Sequence, residues 1–251
     1  MYARLSNNLI KEIKKQKREK SYLLFLDNLK IIKDALAIGL KPKYFLTYDE
    51  NLITDNIKSL MDKDRIFLVD YKTIEQLSDS KTPQGVVCII EYIPHILEKP
   101  KTNFLVIDGL QDPGNVGSLI RTAAACGFNY VYLIDSVKIT NLKLIRSSVG
   151  TIFNVRVFEL SRETFIEKIK EWHLKLLKAD MNGTNIFEFN INEQIGVVIG
   201  NEGQGVSKEI SNLCSHSISI PMKNNVESLN AAISGSIIMY EISKNDFEKL
   251  L

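Results

Sequence analysis

From residue 104 onward the chain alternates short apolar runs with helical patterns. Strand-like runs fall at 104–108, 130–135, 155–160, 174–179, 196–199 and 217–221. Helical patterns lie between them, one ending at Gly127, others over 142–149 and 165–172, and a last one over 228–243. Apolar strands of this kind, without polar alternation, need both faces covered, so the spacing predicts a parallel sheet with helices on both sides. The first part carries a smaller version of the pattern. Strands are predicted over 21–26, 43–48, 65–69 and 85–91, and helices over 29–38, 53–61 and 74–77, which makes a small α/β layer unit. Between the two patterns, 93–101 contains Pro94, Pro100 and a group of lysines, and is expected to be a linker. The expected organisation is therefore a domain over 1–92, a linker over 93–101 and a larger domain over 102–251.

With 45% hydrophobic and 25% charged residues the chain has the make-up of a globular protein rather than a disordered one. Its formal charge of +2 excludes a globally basic surface, so any nucleic-acid footprint must be local. One such run exists. Lys11, Lys14, Lys15, Lys17, Arg18 and Lys20 lie in a stretch whose acids are Glu12 and Glu19. It is either a solvated helix face or a phosphate-binding surface, and the two are compatible. No apolar run approaches the length of a membrane span, and the N-terminal residues lack the apolar core of a secretory signal. Cys88, Cys126 and Cys214 are scattered, as are His95, His173 and His216, so neither a disulfide framework nor a metal site is expected. A cytoplasmic protein without metal and without a membrane anchor is the expectation.

Three segments of the larger domain carry chemistry. The first follows the strand at 104–108 and opens a helix; Asp112 and Pro113 suit a cap and a first helical position, with a start as late as Gly117 as the alternative, and Arg121 sits one turn after Gly117. The second contains Gly200, Gly203 and Gly205 after another strand. Its spacing is neither the dinucleotide fingerprint nor a phosphate loop, and alone it is a tight turn able to cradle an anion. The third runs from Ile220 through Pro221 and Met222 to Ser228, Leu229 and Asn230, where Ser228 is a candidate helix cap.

Taken in order, these segments resemble the three motifs of the SpoU (TrmH-type) RNA ribose 2′-O-methyltransferases. Asn115, Gly117, Arg121, Thr122 and Ala123 meet N-x-G-x-x-x-R-T/S-A; Gly200, Glu202, Gly203 and Gly205 meet G-x-E-G-x-G. Ile220, Pro221, Met222, Glu227, Ser228, Leu229 and Asn230 meet I-P-M…E-S-L-N. The stretch from Arg146 to Thr151 is similar to the family's R-x-S-x-G-A, and Thr82, Pro83, Gln84, Gly85 and Val86 to its T-P-Q-G-V. Where many relatives have a Val-Glu-Gly turn, this chain has Leu26, Asp27 and Asn28.

The resemblance implies a deep trefoil knot in the parallel sheet of the larger domain. It implies a ribosomal-protein-like fold for the small one, which would bind RNA. It also implies S-adenosylmethionine as cofactor, held by Gly200, Ile220, Met222 and Leu229, and a homodimer in which two subunits share each active site. Its catalytic set would be Arg121, Asn115, Glu202, Ser228 and Asn230. Arginine is a poor general base, since its pKa is about 12.5–13.8. Arg121 is therefore expected to clamp a phosphate or stabilise the developing alkoxide. The implied activity is ribose methylation of structured RNA, most readily 23S-type ribosomal RNA. The alternatives are tRNA as substrate, or a catalytically silent RNA-binding or ribosome-assembly factor on the same fold.

Overall fold

The structure is a computed structural model, and it describes residues 2–19, 22–190, 193–224 and 226–247. The chain forms two compact units, Met1–Ile93 with Thr140–Arg146, and Pro94–Ile139 with Ser147–Leu251.

In the first unit, β1 (Ala3–Arg4), α1 (Asn7–Arg18), β2 (Leu23–Leu26), α2 (Leu29–Ala37), β3 (Pro42–Thr47), α3 (Asp55–Leu60), β4 (Ile66–Leu68), α4 (Tyr71–Leu77) and β5 (Val86–Glu91) follow one another. The sheet order is β1-β4-β3-β5-β2. Only β5 runs antiparallel to its neighbours, so the carboxyl ends of β2, β3 and β4 share an edge with the start of β5. Each main helix starts on a polar cap. Ser6 accepts from Leu9 N–H, Asn28 from Lys30 and Ile31, and Asp70 from Thr73. Asn28 thus starts α2 from an extended backbone, with φ −120°. Its neighbour Asp27 is buried, accepts from the Ser78 hydroxyl, and pairs with Arg146, whose Nε lies 3.0 Å from Oδ1.

The second unit contains β6 (Phe104–Asp108), α5 (Pro113–Ala125), β7 (Tyr130–Ile134), β8 (Arg156–Leu160), α7 (Arg162–Trp172), β9 (Lys175–Asn185), β10 (Ile195–Gly200), α8 (Lys208–Ser211), β11 (Cys214–Ser219) and α9 (Ala231–Phe247). A short α6 (Leu142–Ser147) precedes β8 in the chain, and its residues up to Arg146 belong to the first unit. The sheet is parallel throughout, in the order β11-β9-β10-β6-β7-β8. Phe104, Val106, Tyr132, Phe158, Phe165, Leu176 and Val198 form one buried core beneath it. Strand order reverses between β6 and β10, since the chain moves outward through β7 and β8 and returns on the other side. The crevice beyond the carboxyl ends at such a reversal is where open α/β sheets bind ligands.

Several elements differ from expectation. The strand predicted over 174–179 extends to Asn185, because β11 pairs with its polar second half across two register shifts. The final helix starts at Ala231 rather than 228. The Asn230 side chain accepts from Ala232 and Ile233 N–H, so Asn230 is the cap and Ser228 lies in the preceding irregular segment. Residues 94–101 have no regular secondary structure but are pinned to the second unit. Tyr132 Oη donates to Glu98 O, and Gln194 Nε2 to Pro100 O, each at 2.9 Å. Among the described residues no helix is long and apolar enough to cross a membrane, and no cluster of three His, Cys, Asp or Glu is placed to hold a metal.

Candidate active site

The site is built where β6 and β10 end side by side, with Gly200 paired to Asp108. Past β6, Asp112 accepts from Asn115 N–H at 2.9 Å and Pro113 occupies the first turn of α5, so the helix starts well before Gly117. Past β10, the chain turns back on itself. Asn201 and Gly205 exchange backbone hydrogen bonds at 3.0 and 2.8 Å, and Asn201 Oδ1 accepts from Gly203 and Gln204 N–H. A Cβ on Gly200 would lie 2.2 Å from the backbone at Gly205 and Val206, so the turn closes only over glycine. Asn201 Nδ2 then donates to Gly109 O at 3.1 Å and fastens this loop to the end of β6. On the other flank the buried Asp108 carboxylate accepts from Ser207 N–H at 2.7 Å and from Arg162 at 3.2 Å.

The third segment arrives through α9, which packs on α5 with both N-termini at the same end. Asn230 meets Asn115, Ser236 meets Thr122 at 2.9 Å, and Ser243 donates to Cys126 O at 2.9 Å. The approach is close because Gly235 faces Leu119 and Ile199, and a Cβ there would lie 2.4 Å from Leu119 Cδ2.

The result is a chain of hydrogen bonds across three segments distant in sequence. Asn230 Nδ2 donates to Asn115 Oδ1 at 3.0 Å, and Asn115 Nδ2 donates to Glu202 Oε1 at 2.6 Å. The Asn115 amide is used at both ends, so its orientation is set by its partners. Glu202 is exposed, and this hydrogen bond ties its carboxylate to the start of α5.

Other expected residues lie differently. Arg121 is exposed on the face of α5 turned away from α9, and among the described residues no acceptor engages its guanidinium. Ser228 is exposed in the loop before α9; Ile220 and Leu229 are half-buried, and Met222 is exposed. Cys126, at the end of α5, is buried, and burial pushes its thiol up to about 11.

In the basic run, Lys11, Lys15 and Arg18 are exposed on α1, and Lys14 is half-buried beside them. Their spacing of three and four places all four on one stripe. Lys17 leaves the expected set, because its Nζ turns inward to Leu77 O and to Asp79 Oδ1, each at 2.7 Å. Lys20 lies outside the described residues. Sequence reasoning passed over Asn201 and Asp108, which hold the glycine loop from its two sides. An Asn after a strand-ending Gly is an Asx-turn signal, and a carboxylate closing an apolar strand signals that donors from elsewhere must meet it.

The profile of the SpoU rRNA Methylase family matches residues 102–240. The chain belongs to the SpoU rRNA methylase family. It is 26% identical over 230 residues to the 23S rRNA (guanosine(2553)-2′-O)-methyltransferase RlmP of Bacillus subtilis, covering 91% of each chain. It is 31% identical over 230 residues to a protein of Staphylococcus epidermidis assigned to the TrmH family of tRNA/rRNA methyltransferases, covering 84% of this chain and 91% of that one. Among solved structures, the AdoMet-bound rRNA methyltransferase of Sinorhizobium meliloti superposes with a TM-score of 0.82 at 23% identity, covering 97% of each chain. AviRb of Streptomyces viridochromogenes, a SpoU methyltransferase in complex with AdoMet, superposes with a TM-score of 0.80 at 22% identity, over 96% of this chain and 99% of that one. The two-unit architecture is thus that of the family's known folds.

Proposed function

We propose that this family member transfers the methyl group of S-adenosylmethionine to a ribose 2′-oxygen of structured RNA, with 23S-type ribosomal RNA as substrate. The observation that carries the reading is the hydrogen-bonded chain Asn230–Asn115–Glu202, which joins the family's three motifs at the switch point of the sheet. The RlmP relationship over nine-tenths of both chains supports the ribosomal target.

The residues present fit the cofactor. In the described part of 220–229 one backbone hydrogen bond forms, from Val226 N–H to Lys223 O, so most peptide groups there are open to a nucleoside edge. Ile220, Met222 and Leu229 offer apolar walls and Gly200 the backbone floor. When bound, the cofactor supplies an electrophilic methyl on a sulfonium. The chain's task is to align the ribose hydroxyl and help it lose its proton. Glu202, oriented by Asn115 and Asn230, fixes the polar side, with Ser228 near the entry. Arg121 stabilises negative charge on the phosphate or the forming alkoxide. We assign the loops 200–205 and 220–230 to the knot expected of this fold.

Arg121 lies about 120° around its helix from Asn115 and is exposed, so we propose that it serves the site of a second protomer. The exposed apolar residues Ile233 and Tyr240 of α9, about half accessible, fit a homodimer interface. RNA binding falls to the first unit through Lys11, Lys14, Lys15 and Arg18, and a ribosomal RNA target places the protein in the cytoplasm. The test is transfer of labelled methyl to unmodified 23S rRNA and to tRNA, with Arg121→Ala beside the parent. Label on a ribose 2′-oxygen of 23S rRNA, lost in the variant, is the expected result. Label on tRNA alone would replace the substrate. Absence of transfer and of cofactor binding would leave an RNA-binding factor.

A further inference from the structure

The first unit carries an aromatic pair that the methyl-transfer chemistry leaves unused. Tyr48 follows β3 and Tyr71 opens α4, so both stand at the shared carboxyl edge of that sheet. Their rings meet edge to face, with centroids 5.1 Å apart and planes at 88°. Large apolar rings at such a site are normally covered, yet Tyr48 is 48% and Tyr71 42% exposed.

Both rings leave anchored backbone. The Tyr48 ring rests on Gly85, where a Cβ would approach its Cε1 to 2.3 Å; Gly85 also has φ +82°, so this position in the T-P-Q-G-V stretch is glycine for two reasons. Thr47 Oγ1 donates to Gly85 O at 3.0 Å and holds the two segments together. Tyr71 follows directly on the cap Asp70, which accepts from Thr73 N–H at 2.6 Å. Rings fixed in this way lose little entropy when something stacks on them.

Cations stand close to the pair, alongside the acids Asp49, Glu50 and Asp70. Lys72 is exposed next to Tyr71, and α1 lies against α4, bringing Lys14 of the basic stripe to Asp70. Hydrogen bonds from Thr73 hold the Asp70 carboxyl below its ordinary range, and Lys14 and Lys72 add to the effect. Asp49 and Asp70, the acids that flank the tyrosines in sequence, are occupied as caps of the turns that follow them.

We infer that Tyr48 and Tyr71 form a stacking platform for an unpaired base of the RNA substrate, with the adjoining phosphates on Lys14, Lys72 and the α1 stripe. Aromatic rings beside backbone-binding cations are the general solution for holding single-stranded nucleotides. A base locked in a duplex cannot present its face, so the platform selects loops or bulges. The inference rests on the reading of the first unit as the RNA-binding part.

The test uses the full chain and two probes of equal length, a single-stranded RNA carrying 2-aminopurine and the same strand in a perfect duplex. Stacking quenches the probe, and the single strand is expected to quench on binding while the duplex does not. Tyr71→Ala should raise Kd for the single strand about tenfold or more and abolish the quench. Tyr71→Phe should retain both. Tyr71 is exposed at a helix start, so its removal spares the core, whereas the Tyr48 ring packs on Gly85; the loss-of-ring variant is therefore made at Tyr71. Parental quench and Kd in Tyr71→Ala would overturn the platform. Methyl transfer measured on the same proteins separates the two readings. Transfer with an unchanged KM for RNA in Tyr71→Ala removes the platform and leaves the enzyme. A Tyr71-dependent quench without any transfer keeps the platform and removes the enzyme.

Discussion

Asn230 does two things with one amide, and they can be separated. Its oxygen caps α9 through Ala232 N–H at 2.9 Å, and its nitrogen donates to Asn115. Asn230→Asp keeps the cap and loses the donor, so stability should hold while methyl transfer falls. Asn230→Ala loses both and should also cost about 1 kcal/mol in urea unfolding. Equal stability losses in the two variants would refute the division. The motif that contains Asn230 was legible in the sequence, but its capping role was not. Ser228 is as good a cap by residue type, and only the path of the irregular segment decides between them. The cysteines make a second residue-scale case. Burial pushes the Cys126 thiol up to about 11 and Cys214 up to about 12, and Cys88, fully enclosed, is also raised. The thiolate is the reactive form, so alkylation at pH 8 should be slow in the native protein and complete for all 3 cysteines in denaturant. A fast native phase would contradict the burial.

At the scale of elements, the site depends on how closely α9 approaches α5. Gly235 sits where any Cβ would press on Leu119 and Ile199. Gly235→Val should overpack this contact, destabilise by about 1–3 kcal/mol and draw Asn230 away from Asn115, lowering transfer more than the lost stability explains. Thermal unfolding and turnover on the same sample check it. The helix α1 gives a different kind of prediction. Reversing Lys11, Lys15 and Arg18 to Glu should weaken RNA binding and flatten its dependence on log salt by about 0.7–0.9 per lost phosphate contact. Lys17→Gln should instead reduce stability, because its ammonium ties α1 to Leu77 and Asp79. The buried strands β6, β7 and β10 were readable as apolar runs, since they are covered on both faces. The outer half of β9 was not. Asp180, Asn182 and Thr184 look like loop in the sequence, and only the pairing of Thr184 and Asn185 with β11 shows that the strand runs on. Lys17 was misleading for a similar reason: a charge run records composition, while the packing of α1 decides which cation turns inward.

For the whole molecule the question is where Arg121 acts. Within one chain it is exposed and lies about 120° around α5 from Asn115, while Glu202 is held in place through Asn115. On the proposed reading a site that needs both side chains is completed by a second copy, whose contact would also cover the exposed Ile233 and Tyr240 of α9. The helix is apolar around much of its circumference, as expected of one that is buried on more than one side. Size-exclusion chromatography should give twice the 28.5 kDa chain mass. The decisive case is a mixture of two inactive proteins, Arg121→Ala and Glu202→Gln. If each site takes Glu202 from one protomer and Arg121 from the other, a mixed dimer has one site with both native residues and one with neither. Unfolding and refolding the two together should restore about one quarter of parental activity, since half the dimers are mixed and half their sites are intact. If both residues act within one protomer, every site keeps a lesion and the mixture stays as inactive as its parts. Loss of the restored activity on adding a charge at Ile233 would tie the complementation to α9, because a monomer cannot exchange what it does not touch.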